Sequence, residues 1–142
     1  MNARSSARQH AESRLGAYRL WAAMGWAMLL GVVVLSLVSV EQPLQVQHAD
    51  KLEHLLAYGM LMYWWGMVQP PRRVRWAAAL ALLGLALEWA QSLTAYRVME
   101  WPDALANLAG VALALGLLKT PAGSLLARID DQLCNRGDSR GA

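Results

Sequence analysis

At 142 residues the chain is one domain at most, and 56% hydrophobic against 16% charged residues sets it apart from soluble domains, in which about 25% are charged. The net charge of +3 comes from basic residues that flank apolar runs, not from a basic stripe interleaved with aromatics, which excludes a nucleic-acid partner. The single cysteine, Cys134, excludes an internal disulfide and reads as an ordinary thiol in a polar tail.

Residues 1–19 form a basic tail, with Arg4, Arg8, Arg14 and Arg19 against Glu12. Leu20 to Val40 follows without a charge and, at about 1.5 Å per residue, spans about 31 Å, enough for a hydrocarbon core of about 30 Å. That run is longer than the apolar core of a signal peptide and lacks an A-x-A site, so it reads as an uncleaved first helix, stopped by Glu41-Gln42-Pro43. A second helix is predicted over 50–68, its first turn carrying Asp50, Lys51, Glu53 and His54, with Gln69-Pro70-Pro71 as the stop. The third, over 76–93, is Ala/Leu-rich and interrupted only by Glu88 and Gln91. The fourth, over 102–118, starts at Pro102, a residue suited to the first helical position. It carries Ala106, Gly110 and Ala114 at four-residue spacing, a small face that admits close helix approach. In the tail 119–142, Leu125, Leu126, Ile129 and Leu133 recur at helical spacing, which predicts a short amphipathic surface helix, with disorder from Asn135.

The expected fold is therefore all-α, an integral membrane bundle of four transmembrane helices over 20–118. Of the 13 basic residues only Lys51 and Arg97 lie in the two loops on the side opposite the tails, so the positive-inside rule predicts cytoplasmic N and C termini. Trp21, Trp64, Trp65 and Trp76 are expected at the inner interface, Trp89 and Trp101 at the outer one, and Trp26 deeper, as a packing residue. This orientation brings three polar stripes to one depth on the outer side. They are Asp50, His54 and Tyr58; Glu88 and Gln91; and Asp103, Asn107 and Gly110, with Arg97 in the loop between the last two.

At these residues the chain resembles the VanZ-like family of small bacterial membrane proteins. The match is D-K-x-x-H (Asp50, Lys51, His54) followed by Tyr58, then E-x-x-Q (Glu88, Gln91), then R-x5-D-x3-N-x2-G (Arg97, Asp103, Asn107, Gly110), and covers roughly residues 45 to 118. The resemblance implies a role at the cell envelope, by association with response to a glycopeptide antibiotic, and supplies no established reaction.

Each residue has a structural reading beside the functional one. Asp50 suits a helix N-cap, with Glu53 completing a D-x-x-E capping box. Lys51 can snorkel to the interface. Tyr58 suits packing, Asp103 a helix start, and Asn107 an interhelical hydrogen bond. Glu88 is the most anomalous, because a carboxylate near a helix C-terminus opposes the macrodipole and needs a proton or a cation. Lys51, His54 and Arg97 are its candidate partners, and Gln91 its expected hydrogen-bonded neighbour. The functional reading is an outward-facing site at headgroup depth that binds or processes an envelope headgroup or small anionic ligand. In it Lys51 and Arg97 meet the anion, Asp50, Tyr58, Gln91, Asp103 and Asn107 line the site, and His54 and Glu88 are the acid/base pair should chemistry occur. The competing readings are a proton- or ion-coupled transporter and a structural protein acting through partner contact. Asp50, His54, Glu88 and Asp103 are plausible ligands for a divalent ion, but one His with three carboxylates is not diagnostic, so neither metal nor cofactor is expected. The expected partners are the lipid bilayer, a lipid or envelope-precursor headgroup, and a second copy of the chain.

Overall fold

The computed structural model describes residues 15–38, 49–93 and 101–138, without the side chains of Ala49 and 134–138. Arg97, the start of the basic tail and the stop at Glu41-Gln42-Pro43 lie outside the described residues. Every described secondary-structure element is helical: α1 (Tyr18–Leu37), α2 (Ala49–Val68), α3 (Arg73–Ser92), α4 (Trp101–Leu117) and α5 (Leu125–Asp138). Short 3-10 turns, Pro70–Arg72 and Pro121–Ser124, join α2 to α3 and lead into α5, each beginning with a proline whose missing N–H costs nothing there.

The boundaries differ from expectation in informative ways. The first helix stops at Leu37, where Val38 turns to an extended backbone. The third starts at Arg73, so Arg73 and Arg75 belong to the helix and not to the loop. Asp50 lies inside the first turn of α2 and does not precede it, so the expected capping box is not formed with Asp50 as its cap. The last helix runs to Asp138, past the expected disorder at Asn135.

The core forms where α2 and α4 cross, the most extensive helix contact in the fold. Gly110 makes that crossing possible: a Cβ there would overlap the Leu55 carbonyl and lie 2.9 Å from the Gly59 nitrogen. Below the crossing, Tyr58, Leu61, Met62, Trp65 and Val68 of α2 are buried with Leu80, Val111, Ala114 and Leu118. Trp65 is fully buried and stacks on Trp76 with centroids 4.0 Å apart, so it packs in the core. Trp26, expected to be a packing residue, meets both rings edge-on yet is 56% exposed.

Large apolar side chains also cover the outside: Leu30 on α1, Met60 on α2, Leu82 on α3 and Leu105 on α4 are all exposed, whereas Glu88, Gln91, Asp103 and Asn107 are buried. By length and composition α1 is apolar enough to cross a membrane, and α4 with α5 would add a second span if the two, bent by 82°, were taken as one. At 17 residues α4 alone reaches about 26 Å, short of a full hydrocarbon core.

Candidate functional site

The close crossing of α2 and α4 sets His54 and Asn107 side by side, one turn before the glycine contact on each helix. His54 Nδ1 lies 3.1 Å from Asn107 Oδ1. An amide oxygen can only accept, so Nδ1 carries the hydrogen and donates it. This fixes the imidazole, with Nε2 aimed at α3 and the start of α4. There Nε2 lies 3.9 Å from Glu88 Oε1 and 3.8 Å from Asp103 Oδ2. Both separations exceed hydrogen-bond reach. The three ligand atoms nevertheless lie within 4.8 Å of one another.

Lys51, one turn before His54, extends the cluster toward the helix ends. Its Nζ lies 3.0 Å from Asp50 Oδ2 and 3.5 Å from Asp103 Oδ1. Asp103 Oδ1 is buried and accepts no hydrogen bond among the described residues. Exposure falls along the cluster, from the Asp50 side chain at 39% and Lys51 at 30%, through His54 at 17%, to Glu88 at 4%. The site therefore has a wet rim at Asp50–Lys51 and a dry floor at Glu88.

Gly84 and Tyr58 shape that floor. A Cβ on Gly84 would lie 3.0 Å from Asn107 Nδ2 and 3.3 Å from Tyr58 Cε1, so its lack of a side chain lets α3 approach both. Tyr58 is 2% exposed and packs beneath the cluster. Gln91 has a partner that the stripe reading did not anticipate: its Nε2 donates to the Ser36 carbonyl at 2.6 Å, tying α3 to the end of α1.

Of the nine expected site residues, the structure brings Lys51, His54, Glu88, Asp103 and Asn107 into one cluster, with Asp50 at its rim, Tyr58 beneath it and Gln91 beside α1. Arg97 lies outside the described residues. Gly84 and Ser36 are the additions: Ser36 contributes a backbone carbonyl, which no side-chain pattern reveals, while Gly84, four residues before Glu88, carried a readable but unread signal.

A second polar assembly lies at the opposite end of the helices. Gln69 donates to the Tyr18 hydroxyl at 2.8 Å and accepts from Arg72 and Trp76, both at 3.1 Å. Tyr63 donates to the Ala122 carbonyl at 2.7 Å. Asp130 of α5, 1% exposed, accepts from the Gly16 and Ala17 backbone N–H groups and from Trp21 Nε1. Burial alone would raise its pKa, but the bonds from Trp21, Ala17 and Gly16 outweigh that and hold the carboxyl below its ordinary range. Comparison of the chain with protein-family models, curated proteins and solved structures finds no match.

Proposed function

We propose that the chain is a VanZ-like four-span protein of the bacterial inner membrane, with both termini cytoplasmic. Its outward-facing polar site, at headgroup depth, binds or processes an envelope headgroup or small anionic ligand. The inverted polarity of the bundle supports the membrane reading: leucines face outward while Glu88, Gln91, Asp103 and Asn107 face inward. The two-ended distribution of polar groups supports the orientation, since the α2–α3 turn, the first turn of α3 and α5 share the end opposite His54 and carry the basic residues that favour the cytoplasmic side.

The observation that carries the functional reading is the gradient from the exposed Lys51 rim to the buried Glu88 floor, bridged by His54. A ligand's anionic group meets Lys51 first, and His54 and Glu88 stand where a proton could be moved at the ligand's inner end. The test uses His54→Ala and Glu88→Gln variants that still insert, scored against the envelope phenotype of a deletion strain. Both variants should reproduce the deletion. Full retention of function in either would remove the site from the mechanism.

A proton- or ion-coupled transporter is the second reading, favoured by a buried carboxylate beside an imidazole. Against it, Leu61, Met62, Trp65 and Val68 fill α2 below the site with apolar bulk. Ion flux in proteoliposomes, lost in Glu88→Gln, would favour the transporter over the binding site.

A further inference from the structure

The dry floor of the site has the chemistry of a cation cradle, and we infer that His54, Glu88 and Asp103 together bind one divalent transition-metal ion. Two features besides the gathering of acids point there. First, the hydrogen bond from Nδ1 to Asn107 fixes the tautomer, so the Nε2 lone pair of a neutral His54 faces two carboxylate oxygens at 3.8 and 3.9 Å. A nitrogen lone pair opposed to carboxylates is repulsive unless a cation lies between them. Second, Asp103, 9% exposed, turns Oδ2 toward this point, while its Oδ1, which accepts no hydrogen bond among the described residues, faces Lys51 Nζ at 3.5 Å. A metal-bound histidine ordinarily donates its other ring N–H to an oxygen acceptor, and Asn107 occupies that position.

The dimensions suit an ion after a small contraction. Bonds of about 2.0–2.2 Å to nitrogen and oxygen draw ligand atoms to about 3.0–3.5 Å from one another. The observed His54–carboxylate separations of 3.8 and 3.9 Å exceed that by about 0.3–0.9 Å, and all three ligand atoms lie within 4.8 Å of one another, a gap that side-chain rotation can close. One imidazole with two carboxylates favours Zn2+, Mn2+ or Fe2+ over Mg2+ or Ca2+, whose sites are built from oxygen alone. Three protein ligands leave at least one position on the ion for an outside group, and that position lies on the Lys51 side, where the site opens.

The site is the one assigned above, but the metal is tested without any headgroup, so the two readings fail separately. Full-length protein in phosphatidylcholine nanodiscs, stripped by chelator, is titrated with Zn2+ by calorimetry and with Co2+ by visible absorption. Expected are one ion per chain and a Co2+ spectrum characteristic of mixed nitrogen and oxygen ligation. His54→Gln, Glu88→Gln and Asp103→Asn should abolish stoichiometric binding, and Asn107→Ala should weaken it about 10–100-fold. Asp131→Asn on α5 should bind as wild type. Should the ligand variants fail to fold, the Co2+ spectrum of the folded wild type still decides. Absence of saturable binding to folded wild type, or wild-type affinity in any folded ligand variant, overturns the proposal.

Discussion

Asp130 shows how one residue can decide where an element sits. Its neighbour Asp131 is exposed, yet Asp130 lies four residues after the buried Leu126 and so falls on the inward face of α5. There it collects three donors from the start of α1, and removing the carboxylate strands all of them. Asp130→Ala should cost at least about 1–3 kcal/mol, read as a lowered unfolding temperature, with Asp131→Ala near neutral. The pH dependence has a definite sign. The carboxyl of Asp130 is depressed below the ordinary 3.8, so its contribution is full above that value and is lost as pH falls through the lower, folded one. Trp21 fluorescence should therefore report α5 docking that holds at neutral pH and loosens only in acid below the ordinary carboxylate range. In Asp130→Asn that acid transition should vanish.

At the scale of the helix, the site depends on how closely α2 and α4 approach. The overlap that a Cβ on Gly110 would make is with backbone, which cannot swing aside, so Gly110→Ala must push the helices apart. The expected cost is about 1–3 kcal/mol, with loss of the His54–Asn107 hydrogen bond visible in the imidazole NMR signals. Gly116, on the same helix with nothing near its Cβ position, is the control: Gly116→Ala should not destabilise. The small-residue face of α4 and the polar stripes were legible in the sequence because a helix has one period, which places 103, 107 and 110 together whatever they touch. Which stripes would meet was legible too, since charge bias orders the helices by direction. Partners set by rotation of a helix about its axis were not. The reach of Gln91 to the Ser36 carbonyl, the burial of Trp65 and the inward turn of Asp130 each depend on how a neighbouring helix is rotated. Periodicity within one helix carries no information about that angle.

For the whole molecule, the two polar ends make opposite demands on solvent. The end with Tyr18, Gln69, Arg72 and Asp130 is pinned by α5, which turns 82° from α4 and so suits a position along a membrane surface. The end with Lys51 and Asp103 has its rim open. If the helices cross a bilayer, the basic end faces the cytoplasm, because translocating its arginines would be costly, and the site then opens outward. This orientation can be measured with the chain's own cysteine. Cys134 lies on α5, at the basic end. In intact cells a membrane-impermeant maleimide should leave Cys134 unlabelled until the membrane is permeabilised. A Leu93→Cys substitution in a Cys134→Ser background should be labelled at once, because Leu93, 68% exposed, caps the end of α3 on the side of the site. The reverse pattern would turn the site toward the cytoplasm and exclude an envelope headgroup as its ligand, while leaving the metal-binding geometry of His54, Glu88 and Asp103 untouched. Orientation thus decides which side supplies the ligand, and the crossing at Gly110 decides whether there is a site to supply.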